Sequence, residues 1–134
     1  MILASAATLG AQAQKADNFQ YTDEKFADIQ MLRYKVEGFD KLTLKEKTFI
    51  YYLQEAALQG RDILFDQNGR YNLRIRRMLE AVYTHYTGNK HDKFYAALST
   101  YLKRVWFSSG IHHHYGCEKF QPSFKADDLR AALK

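Results

Sequence analysis

Apolar residues recur along this chain at the spacing of a helix, and glycines cut the pattern into segments, with Pro122 the only proline. That combination constrains the fold more than any single motif, because apolar positions three and four apart put one face of a helix inward, while strands need alternation. Thr22-Asp23-Glu24 opens a first segment in which Phe26, Ile29, Leu32 and Val36 keep helical spacing up to Gly38. A second begins at Thr43-Leu44-Lys45-Glu46, where the Thr hydroxyl can accept the amide three residues on and the Glu can return the bond. It runs to Gly60 with Phe49, Ile50, Leu53, Ala56, Ala57 and Leu58 apolar, and Tyr51 and Tyr52 extend the apolar surface nearly all round, which predicts the central helix. The third spans about Arg70 to Tyr86 with Ile75, Met78, Leu79, Val82 and Tyr83 inward and Gly88 as its stop. The fourth carries Phe94, Leu98, Tyr101, Leu102 and Val105 to Gly110, and a short fifth covers about Ala126 to Leu133. With no sustained alternation and no repeat, the expected fold is all-α, a bundle of about five helices joined by short connections.

A chain of 134 residues is one domain's worth, and 46% hydrophobic with 15% aromatic content is too rich in large apolar groups to stay disordered. The net charge of +5 permits an anionic partner. Lys and Arg are, however, mixed with Asp and Glu along most of the chain, which describes a solvated surface and predicts no nucleic-acid partner. The lone Cys117 excludes an internal disulfide and argues against a cysteine-rich zinc module.

Met1 to Gly10 is a short run of apolar and small residues followed by Ala11-Gln12-Ala13, the form of a signal-peptidase site. Residues 1–13 are therefore expected to be a truncated signal peptide lacking its basic start, and 14–134 the mature helical region, periplasmic or secreted. No run approaches the roughly 20 apolar residues that span a bilayer, so no membrane partner is expected.

Three groups of residues could carry chemistry. Arg70, Arg74 and Arg77 align on one helix face with Arg76 beside them, but Asp62 and Asp66 upstream and Glu80 four residues after Arg76 favour ion pairing over phosphate binding. His112-His113-His114 lacks the spacing that places two ligands on one helix face. On an extended segment only His112 and His114 could point the same way, so the chain is expected to bind no metal by itself. The third group is Trp106, Phe107 and Tyr115 around the Ser108-Ser109-Gly110 segment; Tyr115 lies past the helix stop and next to Gly116, where a ring can form a pocket wall.

The order Leu42-Thr43-Leu44-Lys45-Glu46-Lys47, Tyr51-Tyr52-Leu53, Ala56-Ala57, Gly60-Arg61, then Ser108-Ser109-Gly110, Tyr115-Gly116 and Lys119-Phe120-Gln121-Pro122 resembles the N-terminal region of the dipeptidyl peptidase III family. The resemblance covers essentially the whole mature chain. Trp106 to Tyr115 looks like the form of the bacterial branch, which often has Asn where this chain has Ser109. The family consists of two-lobed zinc exopeptidases that remove dipeptides from the N-terminus of short peptides. Its zinc motif, His-Glu-x-x-Gly-His, does not occur in this sequence.

What the resemblance implies is the helical start of the lower lobe, one wall of a peptide cleft whose chemistry belongs to another lobe. Tyr115 would pack against the peptide's second side chain, Gly110 and Gly116 would shape the loop, and Ser109 and His114 would offer hydrogen bonds. No residue here would be catalytic, and zinc would be a cofactor of the intact enzyme only. The partners implied are short peptides and the missing catalytic lobe. The alternative from the residues themselves is a freestanding helical module that binds a peptide or protein without catalysis.

Overall fold

A computed structural model describes residues 18–134. The leader expected over Met1 to Ala13 lies outside these residues. The described chain is mostly helical, with one small two-stranded sheet. Strands β1 (Thr22–Phe26) and β2 (Ile29–Leu32) precede a 3-10 turn at Phe39–Lys41, and helices α1 (Leu44–Gln59), α2 (Arg61–Gln67), α3 (Asn72–His85), α4 (Lys93–Phe107) and α5 (Ala126–Ala132) follow.

The core lies between α2, α3 and α4. Phe65 from α2, Leu79 and Val82 from α3, and Leu98, Leu102 and Val105 from α4 are buried together, with Ile75, Met78, Tyr83, Phe94 and Tyr101 packed against them. These are the inward faces that the apolar spacing assigns to the third and fourth helical segments. Phe124, Leu129 and Ala132 bring α5 and its approach onto the same cluster. At the head of α4, Asp92 accepts the Tyr95 amide at 2.7 Å and the Tyr86 hydroxyl at 2.9 Å. One carboxylate thus caps a helix and ties it to the preceding turn. Tyr95 stacks between Tyr83 and Tyr86, with ring centroids 5.2 and 5.6 Å away, closing that end of the α3–α4 pair.

Two expectations are corrected. The segment from Thr22 to Leu32 is an antiparallel hairpin, so the fold is not all-α. Its two-residue turn places Ala27 at φ 49°, and Gln30 Nε2 donates to the Asp23 carbonyl at 2.9 Å across an irregularity in the ladder. Tertiary contacts decide this conformation. Phe26 meets the Phe107 ring edge-on at 6.5 Å, Asp28 pairs with Arg104 at 2.9 Å, and Glu24 pairs with Lys103, so three hairpin residues are anchored on α4. Neighbours distant in sequence outweigh a local periodicity that three or four residues can satisfy by chance.

The second correction concerns α1, which is not central. Its N-terminal capping box is present, with the Thr43 hydroxyl accepting the Glu46 amide and Glu46 Oε2 accepting the Thr43 amide at 2.8 Å. Yet no residue of α1 is buried, and Leu44, Phe49, Tyr51, Tyr52 and Leu53 are all more than half exposed. Its apolar side chains are therefore left exposed among the described residues.

Candidate functional site

Helix α4 ends at Phe107, and the way it ends builds the site. The Gly110 amide donates back to the Val105 carbonyl at 3.1 Å and the Ser109 amide to the Trp106 carbonyl at 3.4 Å, the paired bonds of a Schellman stop. Such a stop needs one left-handed residue. That residue is Ser109, at φ 52°, and not the glycine beside it. A non-glycine residue pays for this conformation in strain, and Asn tolerates it better than most.

Gly110 has a different task. Asn72, only 3% exposed at the start of α3, lies directly behind it, and a Cβ on Gly110 would stand 2.3 Å from Asn72 Nδ2. The close approach lets Asn72 Oδ1 accept the Ile111 amide at 3.3 Å, and Asn68 Nδ2 donates to the Ser109 carbonyl at 3.4 Å. Two asparagines around the α2–α3 turn therefore hold the loop that leaves α4.

Beyond Ile111 the chain folds back on itself. The Phe120 amide donates to the Ile111 carbonyl and the His113 amide to the Glu118 carbonyl, both at 2.8 Å, and His112 pairs with Lys119. Phe120 is buried beneath the Arg104 guanidinium, 4.3 Å from its ring centre. At the tip, the Gly116 amide donates to the His113 carbonyl and the Tyr115 amide to His113 Nδ1 at 3.2 Å. This tight tip overrides the alternation expected of an extended histidine run. His113 and His114 stack at 4.5 Å, His114 also meets the Phe107 ring at 5.1 Å, and all three histidines face one cavity.

That cavity has a volume of about 370 Å³. Ser109, Gly110, His114 and Gly116 line it, as do Ser108 and Asn72, the latter absent from the sequence reading. The signal for Asn72 is its place one residue inside a helix, unremarkable until the fold brings it behind Gly110. Tyr115 is not in the lining. It is 90% exposed, with its ring 4.2 Å from that of His114, beside the cavity and free to meet a ligand.

Of the four arginines on and beside this face, Arg76 and Arg77 form ion pairs. Arg76, with a side chain 4% exposed, reaches Asp62 at 2.6 Å and Glu80 at 3.3 Å, and Arg77 reaches Asp62 at 2.8 Å. Arg77 first, then Arg76, hold the Asp62 carboxyl below its ordinary range through hydrogen bonds. Trp106 Nε1 donates to Glu80 at 2.8 Å, so this network ties α2 and α3 to the end of α4 that carries the loop. Its role is structural. Arg70 lies apart, with its guanidinium 5.4 Å from the Tyr71 ring centre.

Among the described residues, no group of three or more His, Cys, Asp or Glu side chains is arranged to hold a metal ion, and His113 Nδ1 is taken by the Tyr115 amide. A scan of protein-family models and a search of curated proteins return no match to this chain.

Proposed function

We propose that this chain is the helical start of the lower lobe of a dipeptidyl peptidase III-like zinc exopeptidase and forms one wall of its peptide-binding cleft. The observation that carries the proposal is the loop from Ser108 to Gly116, which sets an exposed tyrosine beside a cavity of peptide-residue dimensions on a scaffold fixed by Asn68, Asn72 and Arg104. Recognition loops held on rigid helices have this form. The uncovered apolar surface of α1 supports the same reading, since such a helix suits a chain that packs against further structure.

In this reading Tyr115 supplies a large, rigid contact for the peptide's second side chain at low entropic cost. Ser109, His114 and the two loop glycines shape and line the adjoining space. Bond cleavage is assigned to no residue of this chain, and the zinc ligands would come from the other lobe.

The test is made on the intact gene product. Its coding sequence is expected to continue past Lys134 into a His-Glu-x-x-Gly-His motif, and the product to release dipeptides, whereas the present chain alone releases none. Tyr115→Ala should lower kcat/KM for peptides with a large apolar second residue about 10- to 200-fold more than for those with a small one, with zinc content unchanged. Equal losses across the series would place Tyr115 in the support of the loop. A stop codon after Lys134 would favour a freestanding peptide- or protein-binding module.

A further inference from the structure

Three imidazoles line the cavity beside Tyr115, and a ligand can reach each of them, since His112 and His113 are half-buried and His114 is exposed. The rest of the lining is amide, hydroxyl, phenyl and glycine, with no Asp, Glu, Lys or Arg among the described residues. Histidine is therefore the ionisable group on these walls, and it changes charge between about pH 5 and 8. The cavity is neutral at the top of that range and positive at the bottom.

The surroundings leave this charge without a partner on the cavity side. His112 is paired across the loop with Lys119, a further cation. Beyond His113, a second space is lined by Asp28, Arg104, Glu118 and Lys119; Asp28 pairs with Arg104 at 2.9 Å, and Glu118 is not in the lining of the first cavity. His114 meets the Phe107 and Tyr115 rings at 5.1 and 4.2 Å, and the α2–α3 turn contributes the uncharged Asn68 and Asn72. His113 offers a donor even before it charges: its Nδ1 accepts the Tyr115 amide at 3.2 Å, so the one proton of the neutral ring sits on Nε2. His113 and His114 stack at 4.5 Å, where two imidazoliums repel each other, and an anion against their edges offsets that repulsion. An ammonium group would find no counter-charge on these walls.

We propose that the three-histidine cavity is an anion site that takes a carboxylate of a bound peptide and holds it more tightly as the pH falls. This rests on the peptide-wall reading and deepens it: Tyr115 contacts an apolar side chain, while the histidines select a peptide that carries an acidic group beside it. An Asp or Glu side chain and a peptide C-terminus both supply that carboxylate, and imidazolium donates to either in charge-assisted hydrogen bonds.

The experiment is an NMR titration of the nitrogen-15-labelled chain at about pH 5.5 and about pH 8, either side of histidine charging. The probes are N-acetyl-Ala-Glu-Ala amide, its Gln counterpart, N-acetyl-trialanine as the free acid, and sodium phosphate as an anion that is not a peptide. Both peptide carboxylates stay ionised throughout. The Glu peptide, the free acid or both are expected to shift the His114 and Gly116 amides saturably and to bind about tenfold more tightly at the lower pH, the worth of one hydrogen bond to a charged group. Which of the two binds identifies the source of the carboxylate. The Gln peptide should show no such gain. His112→Gln and His114→Gln keep a polar side chain that cannot charge, and each should reduce the gain; thermal unfolding at the higher pH checks that they fold, and either one suffices. A gain that survives in the folded variants would overturn the role of the histidines. Equal binding of all three peptides at both pH values would leave the peptide wall standing and overturn the anion site alone. Phosphate binding as tight as that of the peptides would overturn the peptide carboxylate in favour of a free anion, and no shift with any probe would overturn both readings.

Discussion

Leu102→Ala and Leu53→Ala remove the same atoms from two helices and should give very different results. Leu102 is 0% exposed in the cluster between α2, α3 and α4, whereas Leu53 is 53% exposed on α1. Emptying the Leu102 site forfeits its transfer free energy and leaves a cavity that close-packed neighbours fill only partly, for a total of about 3–5 kcal/mol. Leu53 has already kept half of its surface in water, and its removal should cost no more than about 0.5 kcal/mol. Against a total stability of roughly 5–15 kcal/mol, the first change is severe and the second negligible. Urea unfolding followed by far-ultraviolet circular dichroism and by the fluorescence of Trp106 measures both. A loss at Leu53 equal to that at Leu102 would refute the reasoning, since it would mean that α1 is packed into the core.

Ser109→Asn should stabilise the chain by about 0.5–1 kcal/mol, because Asn accepts a left-handed backbone more readily than Ser; a lower thermal midpoint would show that the hydroxyl makes a compensating contact. Asp62 governs part of the acid response. Its carboxyl pKa in the fold is depressed by Arg77 and Arg76, so the stability it contributes is fully present above its unfolded pKa and is lost as pH falls through the folded value. Asp62→Asn should therefore be less stable than the parent at neutral pH and should converge with it in acid. Parallel urea-midpoint curves across the carboxylate range would refute the linkage.

The capping box at Thr43 and Glu46, and the inward faces of α3 and α4, were legible from residue order alone because each depends on neighbours within one or two turns. The stop of α4 near Gly110 was legible for the same reason, though the residue that takes the left-handed conformation is Ser109. The ion pairing of Arg76 with Glu80 followed from a spacing of four. The loop stood out as a cluster of residue types that a generic core does not use, and of the five residues expected to shape a site Ser109, Gly110, His114 and Gly116 line one cavity, whereas Tyr115 does not.

Tertiary structure decided the rest. Thr22 to Leu32 satisfies helical spacing, yet Glu24, Phe26 and Asp28 find partners on α4 that hold the segment as a hairpin. The apolar surround of α1 specified a helix but not its place in the fold, because an apolar pattern encodes a face and not a neighbour, and α1 lies outside the core. Asn72 carries no motif. It belongs to the site only because the chain returns nearly forty residues later to set Gly110 and Ile111 against it, a separation of 39 positions between Asn72 and its hydrogen-bond partner. Local pattern fixes the periodicity of an element, whereas a pocket floor is made from residues that sequence keeps apart and packing brings together.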